Sequence, residues 1–378
     1  MVKAIDDHLS LSGHVELEMS EEKTMWPDYR IQNLFEIELP IIQAPMAGVA
    51  FSDMVGAVSD AGGLGSLACA LLTPEQIVQE VKMIRQQTSR PINLNFFCHQ
   101  PPRVDVNRNT AWKRRLERYF LELGLDPEAA ASGPGRGPFD SAMCELVAEL
   151  RPNVVSFHFG LPDKQLLERV RGTGARIIST ATTVEEGRWL ESEGCDAIIA
   201  QGFEAGGHRG MFLTDDISTQ TGTLSLVPQV VDAVKVPVIA AGGIADARGI
   251  LAAFALGASA VQIGTAYLFS PEARISPLYR RALKSEAKTV LTNIFTGRPA
   301  RAVASRMVRE TGPISELVPD FPLAGGFSAP LREASEARGA TDFTPVWSSQ
   351  SARLARELPA KELTQRLASE TLARLNLL

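Results

Sequence analysis

The chain has no apolar run approaching the ~18 residues that a bilayer-spanning helix needs. Its first residues, MVKAIDDHLSLSGHVELEMSEEK, are too polar for a secretory signal. It has few cysteines: Cys69, Cys98, Cys144 and Cys195 lie far apart with no CxxC pair. That spacing excludes a disulfide frame and a zinc site, and predicts reduced thiols in a cytoplasmic protein. There is no basic surplus. A net charge of −6 gives no electrostatic footprint for nucleic acid. No His/Asp/Glu cluster has metal-ligand spacing, and no GxSxG nucleophile elbow is present.

What remains is the composition of a globular enzyme-sized chain. The 378 residues are 45% hydrophobic and 22% charged. From Pro40 onward, eight short apolar runs recur, each closing on Gly, Ser, Thr or Asn: PIIQA (40–44), GLGSLA (63–68), INLNFF (92–97), VVSFHF (154–159), RIIST (176–180), AIIAQ (197–201), VPVIAA (236–241) and AVQIG (260–264). Continuous runs without alternation predict strands buried on both faces, hence a parallel sheet.

Helical stretches lie between the runs. Thr73-Pro74-Glu75-Gln76 predicts a capped start with proline in the first turn. Thr183 with Glu186 predicts a second capping box, and Asp246 caps a helix beginning near Ala247. The stretches EGCDAII and LGASAVQ each place a glycine, Gly194 or Gly257, where a helix C-terminus wants one. Eight strands alternating with helices predict a (β/α)₈ barrel, with an open doubly wound sheet as the competitor.

Two stretches break the rhythm. Residues 101–139 form a helical excursion after the third run, and residues 271–378 form a helical cap or second subdomain. The expected division is therefore an extension over 1–30, a barrel over 31–270 and a cap over 271–378.

A barrel keeps its working groups at the C-terminal ends of its strands. Read there, the sequence offers Ala44-Pro45-Met46, then Asn95, then His158, then Thr180-Ala181-Thr182. The sixth run leads into QGFEAGGHRG, which presents His208 behind Gly206 and Gly207. After the seventh and eighth runs come Gly242-Gly243 and Gly264-Thr265, small residues whose backbone N–H groups can face a phosphate. A ligand anchored there by its phosphate would carry its reactive head under His208. Taken singly, the glycines are equally compatible with tight turns, and His158 with a packed core histidine. Cys98 and His99 are neighbours on a strand and do not face each other as a dyad. Glu204 and Arg209 flank His208 either as tuning groups or as solvated loop charges. Trp347, in FTPVWSSQ, is a candidate for lining the mouth.

In this order, PIIQAPMAGV, NLNFF, VSFHFGLP, QGFEAGGHRG, PVIAAGGIADARG and ALGASAVQIGTAYL resemble the nitronate monooxygenases, formerly called 2-nitropropane dioxygenases. LTNIFTGRPAR (291–301) is similar to a downstream segment of the same family. The resemblance implies non-covalent FMN. Its ring would lie over Ala44, Pro45 and Met46, with Asn95 and Gln201 hydrogen-bonding near it and Gly206 and Gly207 behind it. Gly242, Gly243, Gly264 and Thr265 would hold the phosphate above Gln262, and His208 would be the catalytic base. The implied partners are a small nitronate or nitroalkane and O₂, with no nucleic acid and no membrane; a homodimer is left open.

Rivals on the same fold are flavin-dependent NAD(P)H:quinone reductases and enoyl-acyl-carrier-protein reductases. A dehydrogenase of the inosine-monophosphate type needs a nucleophilic cysteine after the sixth strand, and that loop has none. A phosphate-binding barrel without catalysis would leave His208 no role.

Overall fold

All eight apolar runs form strands: β1 (Ile41–Gln43), β2 (Gly65–Ala68), β3 (Ile92–Phe97), β4 (Val154–His158), β5 (Arg176–Ala181), β6 (Ala197–Gln201), β8 (Val238–Ala241) and β9 (Ala260–Ile263), with β7 a two-residue strand, Gly207–His208. The structure is a computed structural model and describes residues 25–129, 137–285 and 288–377. The first twenty-four residues of the expected extension, and most of the glycine-rich end of the excursion, lie outside the described residues.

The eight long strands are parallel and run in the order β1-β9-β8-β6-β5-β4-β3-β2. The two ends of that order meet: Ile42 bridges Leu64, and Gln43 N–H donates to Leu64 O at 2.9 Å. This closes the sheet into a barrel and removes both edges. The open-sheet alternative is thereby excluded. Inside, Ile42, Leu64, Val154, Ile178, Ile199 and Ile239 pack into one cluster. The helix Arg30–Phe35 plugs it from below with Ile31 and Phe35. That plug sits at the expected boundary between extension and barrel.

Local signals are met where they depend on neighbours in sequence. Thr73 and Gln76 form the reciprocal capping box. Asp246 caps Ala247–Ala255, accepting from the Arg248 and Gly249 N–H groups. Gly194 and Gly257 take φ of +85° and +90°. The second capping box is half formed. Thr183 accepts from Glu186 N–H, but the Glu186 carboxylate turns away to Thr182, Phe212 and Leu213.

The region after β9 departs from a helical cap in two ways. First, it contains β10 (Thr289–Thr292) and β11 (Ala300–Val303), which join β7 in an antiparallel sheet ordered β10-β11-β7. Ala300 pairs with His208, and Arg301 with Gly207. Second, the closing helix Ala360–Leu375 returns to the barrel. Ala360, Leu363 and Leu367 bury with Met54, Val58 and Ile250, and Tyr267 Oη meets Thr364 Oγ1 at 2.8 Å. It stands in the outer ring as the helix that follows the eighth barrel strand.

The true appendage is therefore built from two stretches of chain. The excursion helix Val106–Leu123 buries Trp112, Leu116, Tyr119 and Phe120 against Ile294, Met307, Phe327, Leu331 and Phe343.

Candidate functional site

At the C-terminal ends of the strands lies a cavity with about 1000 Å³ of empty space, its open mouth included. That is the scale of a site for a cofactor-sized ligand. Ala44, Pro45 and Met46 line it from the end of β1, Asn95 from β3, Gln201 from β6, Gln262 from β9, and Gly264 and Thr265 just beyond. Gly206, Gly207 and His208 close one side. An adjoining pocket continues from Gly206, Gln262, Gly264 and Thr265 to Gly242 and Gly243. Each residue that the resemblance assigns to the flavin site lines one of these two adjoining pockets, and Trp347 lines the first, whereas Ala181, Thr182, Cys98, His99, Glu204 and Arg209 line neither.

The glycines do different jobs. A Cβ on Gly206 would stand 2.6 Å from Ser349 N and 2.7 Å from Ser348 C, so this glycine lets the backbone of 348–349 approach. Gly207 has φ of +74°, the left-handed region that reverses the chain into β7. A Cβ on Gly264 would meet only Ala44 Cβ at 3.4 Å and Met46 Sδ at 3.9 Å, both on the cavity wall.

His208 is gripped from several sides. β11 pairs with its backbone, and Gln201 Nε2 donates to its carbonyl at 3.0 Å. Gln201 Oε1 accepts from Gly210 N–H at 2.9 Å, so both polar ends of Gln201 hold the histidine segment. The imidazole Nε2 lies 2.9 Å from Thr296 Oγ1. Its ring is flanked by Trp347 at 5.2 Å and Phe321 at 5.4 Å between centroids.

Both flanking charges are engaged by the protein. Arg209 is fully buried and donates to Gln201 O at 2.6 Å, Gly202 O at 2.5 Å and Gln220 Oε1 at 2.9 Å. Burial, with Arg301 nearby, pulls its pKa down to about 9. Glu204 accepts from Thr223 N–H at 2.8 Å and from Thr223 Oγ1 at 2.9 Å. Both charges fasten the loop to the barrel.

His158 was legible only as an ambiguous histidine. It lines the cavity and meets Thr180 Oγ1 at 3.1 Å. Burial and then the charge of Arg298 push its pKa down to about 3, while a hydrogen bond to the backbone of His208 works the other way. It is neutral across the working range. Between about pH 6.5 and 3 the unfolded chain binds a proton here that the folded chain refuses, so stability falls as pH falls through that window. The expected slope is at most about 1.4 kcal/mol per pH unit. Urea unfolding at pH 6.5 and 5 should show it in the wild type and lose it in His158→Gln; an equal slope in both assigns it elsewhere.

Sequence reading passed over Phe97 and Tyr279, which also line the cavity. Tyr279 Oη accepts from Trp347 N–H at 2.7 Å and donates to Trp347 O at 3.2 Å, pinning that residue at the mouth. Neither carries a local signal. Phe97 ends an apolar strand, and Tyr279 sits on an ordinary amphipathic helix. Among the described residues, no group of three or more His, Cys, Asp or Glu could hold a metal ion, and no helix is long and apolar enough to cross a membrane.

A closed parallel barrel whose strand ends carry a glycine-lined pocket beside a histidine-headed cavity has the architecture of barrel enzymes that handle phosphate-bearing ligands. The particular family follows from comparison. The nitronate monooxygenase family model matches residues 29–370, and the chain belongs to that family of flavin-dependent oxidoreductases. It is 42% identical over 345 residues to a nitronate monooxygenase of Pseudomonas aeruginosa, covering 90% of this chain and 98% of the relative. Its structure is similar to that of nitroalkane oxidase from Streptomyces ansochromogenes, with a TM-score of 0.83 and 38% identity over 92% of this chain and all of the other. FabK from Thermotoga maritima is more distant, with a TM-score of 0.67 and 27% identity over 92% of this chain and 97% of the other.

Proposed function

We propose that the chain binds FMN and oxidises alkyl nitronates with O₂ to carbonyl compounds and nitrite, accepting nitroalkanes after removing their α-proton. The observation that carries this reading is a firmly held histidine at the head of a cavity whose far end is lined by glycines. A buried polar atom supports the cofactor. Gln262 Oε1 is buried without a hydrogen-bond partner and belongs to a residue lining both pockets. Such an atom is costly unless a ligand satisfies it.

Gly242, Gly243, Gly264 and Thr265 would hold the phosphate, with Gln262 beneath. Ala44, Pro45 and Met46 would bear the ring. Asn95 donates its amide to Ser156 O at 3.2 Å and Ser156 Oγ at 2.9 Å, which leaves its carbonyl oxygen for a ligand donor. FMN supplies acceptance of electrons from the nitronate and their passage to O₂. The protein supplies position and proton handling. His208 takes the α-proton of a neutral nitroalkane, and toward a nitronate it orients the anionic oxygens.

The reductase alternative uses the same fold and cofactor but takes electrons from a nicotinamide. Its nearest support is the more distant FabK likeness. Anaerobic mixing of the flavin-loaded protein separates the two. A flavin spectrum changed by propyl nitronate and left alone by NADH and NADPH supports oxidation of nitronates. Rapid bleaching by a nicotinamide, with the nitronate inert, would replace that reading with the reductase.

A further inference from the structure

One hairpin meets His208 at both its backbone and its side chain. β11 pairs with the backbone at His208, and the turn joining β10 to β11 delivers Thr296 Oγ1 to the imidazole Nε2 at 2.9 Å. This turn is strongly fixed. Gly297 takes φ of +94°, and a Cβ there would stand 2.4 Å from Pro319 O and 2.5 Å from Phe321 N. Gly297 N–H donates to Asn293 O at 2.8 Å. Asn293 exchanges hydrogen bonds with Ser315, donating to its carbonyl at 2.9 Å and accepting from its N–H at 3.0 Å. Phe295 stands edge-on to Trp347, with centroids 5.8 Å apart. Thr296 itself is buried. The chain has therefore built a rigid turn whose hydroxyl meets one ring nitrogen.

A neutral imidazole has one donor nitrogen and one acceptor nitrogen, and a hydroxyl can meet either one, accepting from the N–H or donating to the bare nitrogen. We infer that Thr296 is the positioning residue of His208: its hydroxyl fixes the plane of the ring and accepts from Nε2–H, so that Nδ1 carries the lone pair; a hydroxyl donating to Nε2 would leave both ring nitrogens engaged. The inference rests on the reading of His208 as the proton acceptor, because only a base needs its lone pair on a particular nitrogen. A threonine serving packing alone would be replaced by valine without consequence, since the two share a shape.

The test separates tautomer from turnover. The chain has five histidines, so ¹⁵N-imidazole spectra of the flavin-loaded protein are tractable, with His208→Asn assigning the His208 signals. In the wild type, the two His208 nitrogens should resonate far apart, as in a single tautomer. In Thr296→Val they should move toward a common average, and in Thr296→Ser they should return to the wild-type pattern. Turnover of a neutral nitroalkane should fall about 10- to 100-fold in the valine variant, in kcat more than in KM, and recover in the serine variant. If valine proves hard to fold, Thr296→Ala measured against Thr296→Ser makes the same comparison. Unchanged His208 signals in the variant lacking the hydroxyl overturn the inference. If instead His208→Asn turns over nitroalkanes like the wild type, the reading of His208 as the base fails, while the spectra still decide what Thr296 does to the ring.

Discussion

Replacing His208 with asparagine should leave FMN bound and slow the turnover of neutral nitroalkanes by about 10²–10⁴-fold, the usual contribution of a positioned general base. Asparagine keeps a polar head that can still meet Thr296 Oγ1, and it adds no bulk between Trp347 and Phe321. What it cannot do is accept a proton at neutral pH. His208 does not line the glycine-lined pocket, so flavin content per chain should not change. A preformed nitronate has already lost its proton, and its oxidation should suffer much less. The ratio of the two activities is therefore the informative number. Comparing kcat for a nitroalkane and for its own nitronate, in both proteins, measures it. Equal losses on both substrates would make His208 an orienting group only, and wild-type turnover of the nitroalkane would remove it as the base.

The barrel was legible because parallel strands are buried on both faces and so read as unbroken apolar runs. Each of the eight runs, from PIIQA to AVQIG, became a strand. The cavity was legible for a related reason. Strand ends in a barrel converge, so residues such as Ala44, Asn95 and Gly264, remote in sequence, had to meet once the fold was known. What escaped were choices made over long distances. The two-residue strand β7 has no periodicity to detect, and its partner β11 lies far along the chain. The helix Ala360–Leu375 fell within the expected helical cap, and nothing in its pattern could say that its apolar face meets Met54 and Ile250. Arg209 read equally as a tuning group or a loop charge because its acceptors, the carbonyls of Gln201 and Gly202, carry no side-chain signature.

Glu186 is the clearest case of such a hidden choice, and its removal should have the largest effect on stability. The residue is fully buried. Oε2 accepts from Thr182 N–H at 2.6 Å and from Thr182 Oγ1 at 2.7 Å. Oε1 accepts from Phe212 N–H at 2.6 Å and from Leu213 N–H at 3.2 Å. One carboxylate thus ties the end of β5 to the segment that leaves His208. Glu186→Ala strips three backbone N–H groups and a hydroxyl of their acceptor and opens a void around them. Thr182 is fully buried, so its orphaned N–H and hydroxyl should cost about 1–3 kcal/mol each, about 2–6 kcal/mol together, while Leu213 is half exposed and its amide can turn to water. We expect a loss in that range by urea unfolding. Glu186→Gln should lose less, because it keeps one acceptor while turning an NH₂ toward donors. The damage should also be local before it is global. Amide exchange should accelerate at Phe212 and Leu213 while β10 and β11, which never touch the carboxylate, keep their protection. A loss below about 1 kcal/mol, with those two amides still protected, would mean that the loop after His208 is held by Arg209 and the β11 ladder without the carboxylate.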